Sequence, residues 1–267
     1  MKGILLCRQS LAPWFTQVLD RHPLLFPLPG TTVLDHLLGT LRALGAQEIR
    51  ILSDWPGEDL EKALIGQVDV SVRYYLPTEN TLFLLAEQRL FLADNEALLL
   101  QGPSFNPPAW FAPQTVPSEW MRLLGDHSDI QGVHIRHQGT LESPTELQCL
   151  GLSSPSFFFR LVQNLLPWSQ AQYQDPVFTH SRIQILPPVY SEKGNRVDSP
   201  NQLGPSTWLD KGTRVRKDST LQECLLLGGV DLPAHTHLSR KMVTPTHLIH
   251  GETGEILSWP EFEQNLD

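Results

Sequence analysis

Charge and cysteine are both scarce in this chain. Only 18% of its 267 residues are charged, and 20 Lys and Arg against 29 Asp and Glu leave a formal net charge of −9. Because no run of basic residues could follow a phosphate backbone, we expect no nucleic-acid partner. The three cysteines, Cys7, Cys149 and Cys224, stand far apart without a CxxC pair. This spacing indicates neither a disulfide framework nor a zinc site, and it favours a reducing compartment.

Long hydrophobic runs are also missing. The apolar stretch at residues 4–7 ends at Arg8 and is too short for the hydrophobic region of a signal peptide. No run approaches the roughly 18 residues that a membrane span needs. We therefore expect a cytoplasmic protein without a membrane partner. A hydrophobic content of 40% still supplies a core, and a length of 267 residues suits two modest domains.

The first half of the chain alternates between strand-like and helix-like segments. Residues 31–45 carry apolar side chains at steps of three and four, between a capping threonine and Gly45, which predicts a helix. Similar patterns predict strands at 4–7, 48–52, 68–76 and 97–102 and helices at 57–65 and 81–91. This order predicts a doubly wound, Rossmann-like α/β sheet. Its ligand site is expected beyond the strand ends, after Leu6 and after Leu100.

The last third of the chain has a different period, of six residues. The aliphatic residues at this spacing are Val197, Leu203, Leu209, Val215, Leu221 and Leu227, and a second register continues with Leu226, Leu232 and Leu238. Small residues recur between them, at Thr207, Thr213, Ser219 and Thr236. Neither a helix nor a hairpin repeats every six residues, whereas a left-handed parallel β-helix places one inward aliphatic residue on each six-residue face. A short β-helix of three or four coils is therefore predicted.

Several motifs resemble the sugar-phosphate nucleotidyltransferase family, whose members are also called NDP-sugar pyrophosphorylases. Residues 27–36 (PLPGTTVLDH) are similar to the segment that precedes the first helix of that family, and residues 45–52 (GAQEIRIL) to the start of its second strand. Residues 131–133 and 149–152 resemble a turn and the sugar-side strand of its second half. The resemblance spans nearly the whole chain. It implies a nucleotidyltransferase-like domain followed by a hexapeptide β-helix.

The family's catalytic groups are missing where the resemblance would place them. The phosphate loop after the first strand has no glycine before Gly30, although backbone N–H groups must approach a triphosphate closely there. The lysine position of the family falls on Pro23, and its metal-binding aspartate on Pro103. Proline can neither neutralise a phosphate nor ligate Mg²⁺. The resemblance therefore implies a degenerate, catalytically inactive member with no cofactor, and Mg²⁺ only if activity survives.

Position in the family pattern still indicates where a ligand would bind. The candidate ligand-binding residues are Cys7, Arg8, Gln9, Arg21, Gln101 and Gly102, with His22 as a further cation near the lysine position. No catalytic residue and no metal ligand is assigned. Three alternatives stay open: an active nucleotidyltransferase with relocated site residues, a hexapeptide acyltransferase using His235 or His237 as a base, and a purely structural assembly subunit.

The predicted domains are a nucleotidyltransferase-like α/β domain at 1–180, a β-helix at 181–255 and a polar tail at 256–267. The favoured function is a sugar-nucleotide-binding, regulatory or assembly subunit in cell-envelope polysaccharide metabolism. The expected partners are a sugar nucleotide and either further copies of this chain or an active paralogue, bound through the β-helix. A short solenoid favours such association because its edges and flat faces need covering.

Overall fold

The chain forms two compact units, each built from separate parts of the sequence. The computed structural model describes residues 1–8, 13–19, 21–55, 57–77, 87–92, 97–102, 104–105, 132–135, 141–142, 150–152, 154–168 and 182–258. Unit 1 comprises Met1–Thr16, Asp20–Phe26 and Thr32–Ser153, and unit 2 comprises Gln17–Leu19, Pro27–Thr31 and Ser154–Asp267. The domain bounds drawn from the sequence stay predictions.

The elements up to Gly151 are mostly those of an α/β sheet. They are β1 (Lys2–Cys7), α1 (Trp14–Val18), β2 (Pro27–Leu28), β3 (Thr31–Thr32), α2 (Val33–Ala43), β4 (Glu48–Ser53), α3 (Glu58–Ala63), β5 (Val70–Tyr74), α4 (Arg89–Leu92), β6 (Ala97–Gly102), β7 (Ser104–Phe105), β8 (Gly132–Ile135), β9 (Leu141–Glu142) and β10 (Leu150–Gly151). The main sheet has the strand order β5-β4-β1-β6-β8-β9. Its first four strands are parallel, and β8 and β9 are antiparallel to their neighbours. The predicted doubly wound sheet is confirmed.

Local sequence explains the best-formed helix and the central strand of this unit. The hydroxyl of Thr32 accepts a hydrogen bond from the backbone N–H of Asp35 and so caps α2. Gly45, with φ of +95°, follows the helix in the left-handed conformation that glycine favours. In β1, the side chains of Ile4, Leu5 and Leu6 are no more than 1% exposed. Burial of consecutive side chains is expected for a strand covered on both faces.

The elements from residue 154 onward belong to unit 2. They are α5 (Pro155–Leu165), β11 (Ile183–Ile185), β12 (Val189–Ser191), β13 (Arg196–Val197), β14 (Asn201–Leu203), β15 (Thr207–Leu209), β16 (Arg214–Val215), β17 (Ser219–Gln222), β18 (Leu225–Leu226), β19 (Asp231–Leu232), β20 (His237–Ser239), β21 (Lys241–Val243), β22 (His247–His250) and β23 (Ile256–Ser258). Strands three apart in the chain pair in parallel and build three sheets: β11-β14-β17-β20, β12-β15-β18-β21 and β13-β16-β19. This is the predicted parallel β-helix.

The two registers of the hexapeptide pattern join at a coil that is one residue shorter. Arg196 pairs with Arg214, 18 residues on, whereas Arg214 pairs with Asp231, 17 residues on. The missing residue lies between Leu221 and Leu226, because Leu226 pairs with Leu209 and continues its inward column. The prediction that places Leu227 in this column is therefore wrong by one position. The other aliphatic residues of both registers all lie in the β-helix core.

Small polar residues close the turns between faces, as the pattern predicts. The hydroxyl groups of Thr213, Ser219 and Thr236 each donate to the backbone oxygen three residues earlier, at distances of 2.6, 3.0 and 2.8 Å. Two asparagines that the sequence pattern did not single out link successive coils. The side-chain oxygen of Asn195 accepts from the N–H of Thr213 at 2.9 Å, and that of Asn201 from Ser219 at 2.6 Å. These bonds satisfy backbone groups that would otherwise be buried without a partner.

The end of the β-helix is covered by two antiparallel strands. β22 pairs with β21, and β23 pairs with β22. Residues 256–258, which the sequence assigns to a polar tail, are thus part of this sheet. Nowhere in the described ranges is a helix both long and apolar enough to span a membrane.

Candidate functional site

The parallel sheet has a single topological switch at β1 among its described parallel strands. From β1 the chain proceeds to β4 and β5 on one side and then returns to β6 on the other. Ligands of open α/β sheets bind beyond the carboxyl ends of the strands at such a point. Here the ends of β1 and β6 meet, and the backbone N–H of Arg8 donates to the carbonyl oxygen of Gly102 at 3.4 Å. Three of the candidate residues, Cys7, Arg8 and Gly102, therefore lie together.

Arg8 provides the cation at this switch point. It is half-buried, and its guanidinium forms a hydrogen bond with the hydroxyl of Tyr75, whose ring centroid lies 6.0 Å from the guanidinium carbon. The Tyr75 hydroxyl in turn donates to the carbonyl oxygen of Cys7 at 3.0 Å. Burial, followed by the charge of Asp54, raises the pKa of Tyr75, so the phenol stays protonated at neutral pH. Tyr75 thus holds Arg8 against the end of β1.

Asp54 provides an anion on the neighbouring strand end. It follows β4, is 8% exposed, and its backbone N–H donates to the carbonyl oxygen of Cys7 at 3.3 Å. Burial and, secondarily, the Asp54 charge raise the pKa of the Cys7 thiol well above its usual value. A protonated, fully buried thiol is neither a nucleophile nor a metal ligand. Cys7 therefore contributes packing and its backbone oxygen to this site.

A buried histidine and serine lie beside the switch point. The Nε2 atom of His22 is 2.9 Å from Oγ of Ser53, and His22 Nδ1 accepts a hydrogen bond from the N–H of Leu24 at 3.1 Å. Because Nδ1 is an acceptor, the ring proton lies on Nε2 and is donated to Ser53. The Ser53 hydroxyl also accepts from the N–H of Trp55 and donates to its carbonyl oxygen, both at 3.1 Å.

This arrangement excludes two chemical roles. His22 cannot act as a base toward Ser53, since it already donates its proton there, and the Ser53 proton is held by a carbonyl. Burial lowers the pKa of His22 to about 4, so the imidazole is neutral at pH 7. The sequence-based hypothesis that His22 supplies a cation near the family's lysine position is therefore wrong for the folded protein. Its 1% exposure also leaves no room for a phosphate.

The remaining candidates are less informative. Arg21 is exposed, directly before the buried His22. Gln101 lies on β6, but its side chain is outside the described part of the structure, as are residues Gln9 and Pro103. Gly102 is packed in the core: a Cβ at this position would lie 3.3 Å from Leu24 and Leu37 side-chain carbons. This packing explains the glycine without a ligand.

The sequence analysis missed Tyr75, which contacts Arg8, and Asp54, whose charge acts on Tyr75 and Cys7. Asp54 and Tyr75 follow the carboxyl ends of β4 and β5, which the strand-end rule could have singled out in the same way as Arg8. Within the described residues no group of three or more His, Cys, Asp and Glu side chains could hold a metal ion. On the β-helix, His235 and His237 are exposed, and His235 Nδ1 lies 3.8 Å from a carboxylate oxygen of Asp218.

Comparison with known proteins assigns no family to this chain. No family model matches this chain, and no curated protein matches it. Among solved structures, a protein described as a glucose-1-phosphate thymidylyltransferase from Bacillus anthracis, in complex with sucrose, is similar with 16% sequence identity and a TM-score of 0.36. The similarity covers 57% of this chain and 68% of that one.

Proposed function

We propose that this chain is a nucleotidyltransferase-like protein that binds a sugar nucleotide at the switch point without transferring a nucleotidyl group. Its role would be that of a regulatory or assembly subunit in cell-envelope polysaccharide metabolism. One observation carries the proposal: Arg8 lies where β1 and β6 meet, beside Gly102, at the position where open α/β sheets bind phosphate-containing ligands.

The charges at this position suit such a ligand. A half-buried guanidinium attracts a phosphate more strongly than an exposed one, because less water screens it. The carboxylate of Asp54, two strands from β6, can accept hydrogen bonds from sugar hydroxyl groups. A cation and a neighbouring hydrogen-bond acceptor are the two groups that a sugar phosphate needs.

Catalysis needs further groups that this chain does not offer at the corresponding positions. Nucleotidyl transfer depends on positioning and on neutralising the phosphate charge. His22 is neutral, and the family's lysine and metal-binding aspartate correspond to Pro23 and Pro103. Loss of one charge-stabilising group typically lowers the rate about 10²-fold to 10³-fold. Several such losses would leave almost no measurable activity.

Ligand binding can be tested by thermal denaturation with a panel of sugar nucleotides, with and without Mg²⁺. A ligand at about 100 times its Kd stabilises the native state by about 2.7 kcal/mol and raises Tm. We expect at least one sugar nucleotide to raise Tm, and we expect Arg8→Met to abolish the effect. The matched control is Arg73→Met, which removes a half-exposed arginine of the same sheet that is paired with Glu87. No shift with any sugar nucleotide, or an equal loss in both variants, would contradict the proposed site.

Inactivity needs a separate assay. The purified protein is incubated with Mg²⁺, pyrophosphate and the same sugar nucleotides, and release of nucleoside triphosphate is measured. We expect none above a control without protein, and none for Pro103→Asp, because one restored carboxylate does not replace the missing cation. Release that scales with protein concentration and disappears with a chelator would show an active enzyme instead.

A further inference from the structure

Strand β5 is one edge of the main sheet in the described part of the chain. It pairs in parallel with β4 on one side only. The carbonyl oxygen of Asp69 accepts a hydrogen bond from β4, and the N–H of Tyr75 donates one to it. Successive residues of a strand turn their backbone groups to opposite sides, so the odd-numbered residues of β5 bond to β4. The backbone groups of Val70, Val72 and Tyr74 therefore point to the open edge.

Most of these edge groups have no hydrogen-bond partner among the residues that the structure describes. The exception is the N–H of Val70, which donates to the carbonyl oxygen of Gln67 at 3.2 Å. The carbonyl oxygen of Val70 and both backbone groups of Val72 and Tyr74 remain open. Such a row of open groups is a template on which another strand can pair.

Apolar side chains are placed symmetrically along this edge. Val68 is fully exposed in the turn before β5, and Leu76 is 65% exposed just after it. Both lie four residues from Val72, while Val70 and Tyr74 lie two residues from it. The order of apolar positions is therefore the same in both directions from Val72. A strand with this symmetry matches its own reverse, which is what a second copy of the chain presents in an antiparallel pair.

We propose that β5 pairs in antiparallel fashion with β5 of a second copy of this chain, about a two-fold axis at Val72. In this register the two Val72 residues face each other and exchange both of their open backbone hydrogen bonds. The N–H of Tyr74 donates to the carbonyl oxygen of Val70 in the second copy. The contact is made by the same surface of both copies, so it closes at a dimer.

The same register matches the side chains across the contact. Val70 faces Tyr74 of the second copy, on the side of the sheet where Ile49 and Ile51 are buried. A β-branched residue opposite an aromatic residue stabilises an antiparallel pair. At the two ends, Val68 of one copy meets Leu76 of the other. Pairing therefore removes two exposed apolar side chains of each copy from water.

Charge and spacing favour this two-fold centre over its neighbours. Arg73 is the charged residue of β5, and it lies 3.1 Å from Glu87. With the axis at Val72, Arg73 faces Ser71 of the second copy. An axis at Arg73 would place two arginines directly opposite each other, which is destabilising. An axis at Ser71 would place Leu76 opposite Gly66 and leave its side chain uncovered.

Self-association of the full chain is measured by sedimentation equilibrium over a range of protein concentrations. We expect a monomer–dimer equilibrium that is at least about tenfold weaker in Val68→Glu, because the carboxylate would lose water against Leu76 of the second copy without gaining a partner. The matched control is Leu90→Glu, which changes an almost fully exposed leucine on α4, outside β5. It should weaken dimerisation less than about twofold.

The contact between Val68 and Leu76 is tested with opposite charges on separate chains. Val68→Lys and Leu76→Glu should each weaken self-association. Mixed together, they should form a mixed dimer, because one Lys–Glu pair then joins the two chains. The two positions are roughly 20 Å or more apart along the strand, so they do not pair within one chain. Native mass spectrometry distinguishes the mixed dimer from the two homodimers by mass.

The register is tested by disulfide cross-linking under mild oxidation. Val72→Cys should form a cross-linked dimer, because facing residues at a hydrogen-bonded position have Cα atoms about 5.5 Å apart. The matched control is Ser71→Cys, which is more exposed than Val72. In the proposed register the two copies of residue 71 are diagonal neighbours about 7–8 Å apart, beyond the usual reach of a disulfide. Non-reducing electrophoresis compares both variants with the wild type.

Several results would overturn the proposal. These are a monomer at all concentrations, equal weakening in Val68→Glu and Leu90→Glu, or faster cross-linking of Ser71→Cys than of Val72→Cys. A dimer that persists unchanged in Val68→Glu would assign self-association to another surface and would also overturn it. The Tm shift with sugar nucleotides should be the same in Val68→Glu as in the wild type, so the dimer and the proposed ligand site fail or stand separately.

Discussion

The His22 and Ser53 side chains illustrate how protons decide the role of a residue. A histidine nitrogen 2.9 Å from a serine hydroxyl has the geometry of a nucleophile and its base. Here the second ring nitrogen accepts from the N–H of Leu24, and the serine hydroxyl is bonded to both backbone groups of Trp55. The pair therefore ties the turn before residues 23–25 to the end of β4. Its function is structural.

His22 makes the stability of the protein sensitive to acid. Its pKa is lowered from 6.5 to about 4 in the folded state, so between these values the unfolded chain binds more protons than the native protein. Protonation of His22 in the unfolded chain costs no stability above about pH 6.5. Below that value it lowers the free energy of unfolding progressively until the pH reaches about 4. The loss attributable to His22 is about 3 kcal/mol. Denaturant unfolding at several pH values measures it.

The matched variants are His22→Gln and His237→Gln, which remove a buried and an exposed imidazole. We expect His22→Gln to be less stable than the wild type at pH 7, because hydrogen bonds to Leu24 and Ser53 are lost. This difference should shrink by about 3 kcal/mol at pH 4. His237→Gln, which changes an exposed side chain, should alter stability at pH 7 by less than about 0.5 kcal/mol. A constant difference between His22→Gln and the wild type would show that His22 does not titrate in this range.

At the scale of elements, the β-helix accommodates a shorter coil without losing its core. Cys224 replaces a threonine at the turn: it occupies the position that Thr207 holds one coil earlier, two residues before the inward leucine. Its thiol donates to the carbonyl oxygen of Gln222 at 3.0 Å, as Thr207 donates to Pro205. Burial raises the pKa of Cys224 to about 12, so the thiol remains protonated. Cys224 is a structural residue of the turn.

The inward register of the β-helix predicts a strong contrast between two nearby positions. Leu209 is fully buried in the core, whereas Lys211 is exposed. Leu209→Asp buries an unpaired carboxylate and should lower the free energy of unfolding by several kcal/mol or prevent folding. Lys211→Asp should change it by less than about 0.5 kcal/mol. Thermal melts of the two variants test this, and a wild-type Tm for Leu209→Asp would refute the register.

Two glycines should respond oppositely to alanine. Gly204 has φ of +93°, and a Cβ there would collide with the backbone oxygen of Leu186. Gly204→Ala should therefore cost more than about 2 kcal/mol, since both the backbone conformation and the contact are unfavourable. Gly39 lies on α2, and a Cβ added there would have no other atom within 4 Å. Gly39→Ala should add about 0.5–1 kcal/mol by favouring the helix, and urea denaturation measures both.

At the scale of the whole molecule, unit 2 includes a short segment from far earlier in the chain. Residues Pro27–Thr31 belong to it, and the backbone N–H of Gly30 donates to a carboxylate oxygen of Glu192, 162 residues later, at 3.0 Å. Tyr190 completes the contact. Burial and a hydrogen bond with Glu192 help to raise its pKa to about 12, so the phenol remains a donor to that carboxylate.

Removal of this contact should loosen the Gly30 turn. Glu192→Ala leaves the Gly30 N–H without its acceptor, so we expect faster hydrogen exchange at that amide and a loss of about 1 kcal/mol in stability. Glu192→Gln keeps a neutral acceptor and should lie between Glu192→Ala and the wild type. Glu223→Ala, which removes an exposed partner of Arg240, is the control and should leave Gly30 unchanged. Equal exchange in all variants would show that Glu192 does not hold the turn.

The sequence by itself determined which elements form and which side chains face the β-helix core. Alternation, hexapeptide spacing and capping residues such as Thr32 depend on residues that are close in the sequence. They can therefore be predicted from the sequence pattern alone. The rule that ligands bind at strand ends also predicted a site after Leu6 and after Leu100, in the segments that contain Arg8 and Gly102. The one-residue error at Leu227 arose because a shortened coil moves every later side chain by one position.

Only the tertiary structure decided which distant side chains share a surface and which protons they carry. Arg196, Arg214 and Asp231 lie far apart in the sequence, and only the coil register places them in one row. His22 has the composition of a cation, but burial and the Leu24 N–H keep it neutral. Charge, protonation and proximity depend on neighbours that lie many residues away. A local pattern contains no information about them, because those neighbours are set by the packing of the whole chain.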